Sequence, residues 1–185
     1  MPFSNIAKLG PPDSKHVEVC VFGPNYGECI LIHLGADNWI VVDSCTVGST
    51  QPSALAYLES IKVDPAVGIK AIIATHWHDD HTRGLSKLIA AAPAAHLCIA
   101  NALTQLEFLR FKARMQKNTS TVAGTKLNEF SETLLEIRRR LDTGLLNFTL
   151  ANARTSIFGL DATQTSLGLK CEVTDQRAFV LFEFF

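Results

Sequence analysis

The sequence is most informative at first through what it lacks. Its longest uncharged apolar stretches fall well short of the roughly 20 residues that a membrane-spanning helix requires. No CxxC pair occurs, and the five cysteines (Cys20, Cys29, Cys45, Cys98 and Cys171) are odd in number and scattered, so no disulfide framework is implied. Four of them lie in or beside apolar strand-like runs, where free cysteine packs as a small hydrophobe, and the expectation is reduced thiols in a reducing cytoplasm. Neither sign of charge dominates: 17 Lys and Arg stand against 18 Asp and Glu, so a net charge of −1 supplies no long-range attraction to nucleic acid or to an anionic membrane. No basic-then-apolar leader is expected, because Met1-Pro2-Phe3-Ser4-Asn5 runs into a polar, Pro-containing segment. There is no internal repeat or low-complexity stretch, and no histidine after His96.

What remains is an ordinary globular composition, 47% apolar and 19% charged, and 185 residues are enough to build one core without staples. A single domain over residues 1–185 is expected. Val17-Glu18-Val19-Cys20-Val21-Phe22 has strand character, and Gly23-Pro24-Asn25-Tyr26-Gly27 is a turn cluster. Cys29-Ile30-Leu31-Ile32-His33-Leu34 and Trp39-Ile40-Val41-Val42-Asp43 follow as strands joined by Gly35-Ala36-Asp37-Asn38, a spacing that predicts an antiparallel hairpin or meander. Runs so continuously apolar imply a sheet covered on both faces. Residues 53–62 read as a helix, 70–74 as a strand, 85–92 as a helix closed by Pro93, and 96–100 as a strand, an α/β order with a mixed sheet.

Residues 101–141 read as helical, most clearly 125–141, where Leu127, Phe130, Leu134, Ile137 and Leu141 share one face and Glu132, Glu136 and Arg140 line another. The linking segment 117–124 is polar, and the basic clusters Arg138-Arg139-Arg140 and Arg110/Lys112/Arg114/Lys117 read as solvated helix faces. Strands are expected at 146–150, 155–160, 166–173 and 178–185. The last is apolar and aromatic, and three placements suit it: a central buried strand, a strand of a shortened chain, or a strand that pairs across a homodimer.

The densest chemistry lies in Ala71-Ile72-Ile73-Ala74-Thr75-His76-Trp77-His78-Asp79-Asp80-His81-Thr82-Arg83-Gly84. An apolar run that reads as a buried strand opens into three of the chain's six histidines and two carboxylates. His76, His78, Asp80 and His81 form His-x-His-x-Asp-His. Imidazole and carboxylate are the ligands Zn²⁺ prefers, at about 2.0–2.2 Å. An extended backbone points residues two apart the same way, so His76 and His78 can chelate one ion together. The chain then bends into a helix whose first turn aims Asp80 and His81 at a neighbouring position. A plain strand-to-helix turn, capped by Asp79 or Asp80, accounts poorly for three histidines and an aspartate within six residues.

This cluster resembles the metal-binding motif of the metallo-β-lactamase superfamily, whose fold is an α/β, four-layered αββα sandwich of two similar halves. Val42-Asp43-Ser44 is similar to that family's first motif, an aspartate at a strand end that supports the metal loop. The resemblance covers residues 17–100 well; residues 101–185 look like a helical insertion with divergent strands. It implies zinc, one or two ions, with His76 and His78 on the first and Asp80 and His81 on the second. His78 points the same way, since relatives that use iron for oxygen or nitric oxide reduction tend to carry Glu there. It further implies a hydrolase in which a hydroxide held by two metals about 3.5–4 Å apart attacks an ester, thioester, lactam or phosphodiester, with Asp80 orienting the water or accepting its proton. Asp43 becomes a supporting residue behind the ligands, Cys45 either a neighbour of the site or a spectator, and Trp77 and Asp79 residues facing a small-molecule substrate.

The family's later metal ligands have no obvious counterpart. His96 opens an apolar strand and reads as core or strand edge, while Asp161 and Asp175 each end a strand-like run where a bridging aspartate could sit. The second half of the sandwich is therefore expected to be incomplete in the C-terminal part. Two other functions follow: a binding or assembly module that keeps the fold without turnover, and a nuclease drawing on a local patch from Arg110, Arg114 and Arg138 to Arg140.

Overall fold

In the computed structural model, the structure describes residues 10–23, 27–48, 50–75, 78–100, 123–144, 148–151, 156–160, 169–173 and 180–184. Strands β1 (Glu18–Phe22), β2 (Cys29–His33) and β3 (Trp39–Val42) form the expected antiparallel meander, with Val21 opposite Ile30 and His33 opposite Trp39. A short ribbon of β4 (Thr46–Val47) and β5 (Gln51–Pro52) leads into α1 (Ser53–Ser60) and the single turn α2 (Pro65–Gly68). Asp64 starts that turn by accepting the Ala66 amide at 2.9 Å.

From there the sheet turns parallel: β6 (Ile69–Ala74) lies against β3, β7 (His96–Ala100) against β6, and β8 (Phe148–Ala151) against β7. The resulting six-stranded order is β1-β2-β3-β6-β7-β8. Helices α3 (Asp79–Thr82) and α4 (Leu85–Ala91) carry the β6–β7 crossover, and α5 (Ala123–Asp142) packs on both. A second, three-stranded sheet has the order β11-β10-β9, from β9 (Ser156–Leu160), β10 (Leu169–Val173) and β11 (Val180–Phe184). Among the described residues β11 is an edge strand paired with β10, not the central strand that its composition also allowed.

Side-chain alternation divides the buried residues between the two faces of the large sheet. Cys29, Leu31, Trp39, Val41, Ile72, Ala74, Leu97 and Ile99 join the cluster that includes Leu58 of α1, Leu88 and Ile89 of α4, and Ile137 of α5. Ile32, Ile40, Val42, Ala71, Ile73 and Cys98 form the other cluster. Burial on both faces is why β2, β3 and β6 are nearly unbroken apolar runs.

Two expectations for α5 are corrected. Arg140 is not on a solvated face: it is 1% exposed, while Leu141 is 54% exposed. Arg140 falls three residues after Ile137 and seven after Thr133, and all three are buried. Its guanidinium leans on Glu136 (Nε to Oε1, 3.4 Å) and on the Pro93 carbonyl at 3.5 Å. Ala123 and Gly124, expected in a polar linker, are already helical. Residues 101–122, with Arg110 and Arg114, lie outside the described residues, as do Asp161 and Asp175.

Candidate functional site

The site is built where parallel strands β3 and β6 end side by side. The Asp43 amide donates to the Ile73 carbonyl at 2.8 Å, so the ladder runs one residue past β3. At Asp43 the chain takes a left-handed conformation, φ 58°, which aspartate tolerates better than most residues. That turn leaves the carboxylate buried beneath the loop that follows β6. Asp43 Oδ1 accepts the Thr75 amide at 2.8 Å, and Oδ2 accepts the Thr75 hydroxyl at 2.6 Å. Oδ2 also lies 2.9 Å from His81 Nδ1.

A carboxylate only accepts, so that contact puts the proton on Nδ1 and makes Nε2 the basic nitrogen of the neutral ring. Nε2 in turn lies 3.6 Å from Asp80 Oδ2. The three side chains grade outward, at 7% exposure for Asp43, 17% for His81 and 42% for Asp80. The Asp43 hydrogen bond raises the His81 pKa above its ordinary value, against the opposing effect of burial.

The loop is pinned mainly through its backbone. The His81 and Thr82 amides and the Thr82 hydroxyl all donate to the His78 carbonyl, at 2.9, 3.1 and 3.1 Å. Ser44, next to Asp43, donates its amide to the His81 carbonyl at 2.8 Å and its hydroxyl to the Arg83 carbonyl at 2.9 Å. From the far side of β3, the Glu28 amide donates to the Asp80 carbonyl at 2.7 Å. From α5, Glu129 Oε1 accepts both the Gly84 amide and the Ser86 hydroxyl at 3.0 Å, holding the start of α4.

Of the residues singled out in the sequence, Asp43, Asp80 and His81 are thus brought together. His78 is exposed and gives its carbonyl to the same turn. Asp79 opens α3, its side chain outside the described set, and His76 and Trp77 lie outside the described residues altogether. Among the described residues no three His, Cys, Asp or Glu side chains converge as a metal cage.

Cys45 is buried with its sulfur 3.3 Å from the Ser53 hydroxyl, and burial raises its pKa. His96 Nε2 lies 2.8 Å from the Thr149 hydroxyl across the β7–β8 pair. Sequence reasoning does not single out Glu28 or Glu129, and Ser44 enters only as the last residue of the Val42-Asp43-Ser44 stretch. The turn at 23–27 was the only local signal near Glu28, and nothing local marks Glu129.

The metallo-beta-lactamase superfamily matches residues 22–150, more than half of the chain. The chain belongs to that superfamily, and its α/β architecture is that family's fold. Over 57 residues it is 37% identical to the hydroxyacylglutathione hydrolases of two Prochlorococcus marinus strains, NATL1A and NATL2A. Each alignment covers 31% of this chain and 23% of the relative, so the chain spans under a quarter of those curated relatives. A solved hydrolase of the beta lactamase superfamily, AbOPH, is 15% identical with a TM-score of 0.49, over 84% of this chain and 54% of its own. No helix among the described residues is long and apolar enough to cross a membrane.

Proposed function

We propose that the protein is a zinc-dependent hydrolase in which His76 and His78 hold one ion, and Asp80 and His81 a second or a shared one. The observation that carries this reading is the chain Asp43–His81–Asp80. A buried carboxylate fixes a histidine through Nδ1, the outer-shell arrangement that orients imidazole ligands. The other nitrogen sits 3.6 Å from a carboxylate oxygen. Two donors on one tetrahedral zinc, each about 2.0–2.1 Å from it, stand about 3.3–3.4 Å apart, so this donor pair suits such an ion with little movement.

A bound zinc supplies Lewis acidity and lowers the pKa of a water molecule. The chain's own residues do the rest. Asp43 and Thr75 keep His81 from swinging away, the Ser44 and Glu28 amides hold the loop's register, and Asp80 orients the water and takes its proton. An acyl substrate, ester or thioester, is favoured by the similarity to enzymes named for hydroxyacylglutathione, itself a thioester. The four free thiols described, Cys20, Cys29, Cys45 and Cys98, suit a reducing cytoplasm. The basic run on α5 lends nucleic acid no support, since Arg140 is buried and Arg139 is paired with Glu136 at 2.8 Å.

Metal analysis and turnover decide the matter. One or two zinc per chain, with hydrolysis of a hydroxyacylglutathione or a simple aryl ester abolished by His78→Ala, is the expected result. Zinc without turnover on esters, thioesters, lactams or phosphodiesters would favour a binding module of the same fold. Absence of zinc above background sinks the metal reading.

A further inference from the structure

We infer that the Gly27–Glu28 turn, on the opposite side of β3 from β6, is a positioning element that sets the metal affinity of Asp80 and His81. The inference rests on the metal reading above and adds to it Gly27 and a control of the Asp80–His81 spacing, which that reading does not contain. Glu28 N–H donates to the Asp80 carbonyl at 2.7 Å, the shortest backbone hydrogen bond to the loop among the described residues. Gly27 sits with φ +99°, and a Cβ on it would stand 2.8 Å from the Cys45 Cβ and 2.9 Å from the Asp80 oxygen. Both neighbours are too close for a real Cβ, and neither is the end of a flexible side chain, so a side chain at 27 forces a shift where the turn meets the Asp80 backbone. The Asp80 carbonyl and carboxylate belong to one residue at the head of a four-residue helix. Shifting its backbone therefore shifts the carboxylate against His81, which is held independently by Asp43 and Ser44.

The 3.6 Å spacing of the donor pair is thus set from two sides, His81 from β3 and Asp80 from the turn before β2. Ligand positions must be held to a fraction of an ångström for tight binding. By reciprocity, metal that draws on Asp80 must also tighten the Glu28–Asp80 contact.

Gly48 provides a control for a side chain at positive φ: it has φ +64°, and a Cβ there meets nothing within 4 Å. Its φ lies within the left-handed region that non-glycine residues can enter, so Gly48→Ala is the less strained of the two, and a Cβ at Gly27 alone meets Asp80. The expected result is zinc binding weakened at least tenfold in Gly27→Ala and unchanged in Gly48→Ala, read by competition with a chromophoric chelator on folded protein. In the parent, zinc should slow exchange of the Glu28 amide about tenfold. It should leave the Ala36 amide, bonded to Ser14 at 2.9 Å, unchanged.

Equal zinc affinity in Gly27→Ala and the parent, even with a lowered melting temperature, overturns the inference while leaving the metal reading intact. If Gly27→Ala does not fold, the exchange experiment decides alone, and no slowing at Glu28 overturns it. A parent that binds no zinc overturns the metal reading and this inference together.

Discussion

The two ends of strand β3 each meet one histidine, and the two are held in opposite ways. At the Trp39 end, His33 is fully buried, its ring 4.6 Å from that of Trp39, and among the described residues neither ring nitrogen meets hydrogen-bond geometry. Burial lowers its pKa, although the His16 backbone and Asp37 lie near enough to oppose part of the shift. At the Asp43 end, His81 is only partly buried, and a carboxylate grips Nδ1 and raises the pKa against the effect of burial. Burial alone turns a histidine into a neutral aromatic filler. A buried carboxylate behind the ring fixes its tautomer and aims the other nitrogen outward. The same strand therefore supplies a packed end and a chemical end.

The largest effect is expected from removing the gripping carboxylate. Asp43→Ala strips partners from the Thr75 amide, the Thr75 hydroxyl and His81 Nδ1. It should cost about 3–5 kcal/mol in urea unfolding and about 10–100-fold in zinc affinity. A loss below about 1 kcal/mol would mean the node is less dependent on Asp43 than its geometry implies.

Next, Glu129→Ala removes the acceptor for Gly84 N–H and the Ser86 hydroxyl. About 1–2 kcal/mol should be lost, as for a helix cap, and the α4 amides should exchange faster.

The pH profiles of the zinc-free protein sharpen the contrast. The raised His81 pKa makes its contribution fully present below the unfolded-state value of about 6.5 and lost as pH rises through the folded value. His33 behaves in reverse. The unfolded chain takes up a proton that the buried ring refuses, so stability falls as pH drops from about 6.5 toward the lowered folded value. His81→Gln should therefore cost more at pH 5.5 than at pH 8, and His33→Leu should flatten the acid limb. Identical pH profiles for the two variants would erase the distinction between the ends.

The smallest effect is expected at neutral pH from His33→Leu itself, within about 1 kcal/mol of the parent, because no hydrogen bond is lost when an unpaired polar ring becomes apolar.

Much of this arrangement is legible along the chain. The β1–β2–β3 meander, the β6 strand and the crossover helix follow from apolar runs, turn residues and Pro93. The β9 to β11 strands fall within the stretches read as extended. The loop at 76–81 announces metal chemistry through ligand density alone. Asp43 is visible as an aspartate ending an apolar strand, though its grip on His81, 38 residues away, is not. Glu28, 52 residues before Asp80, acts through a backbone amide that leaves no side-chain signature. Arg140 is flanked by charged residues on the helix, which suggests a solvated position, yet it shares the buried face of Thr133 and Ile137.

Local sequence sets most of the elements and where ligand-type residues concentrate, because periodicity, turn chemistry and residue type act over a few positions. Long-range packing selects which carboxylate holds which histidine, which glycine must lack a side chain, and which end of β3 becomes polar. Those outcomes depend on hydrogen bonds and close approaches between segments dozens of residues apart, whose geometry exists only once the sheet has brought the strand ends together.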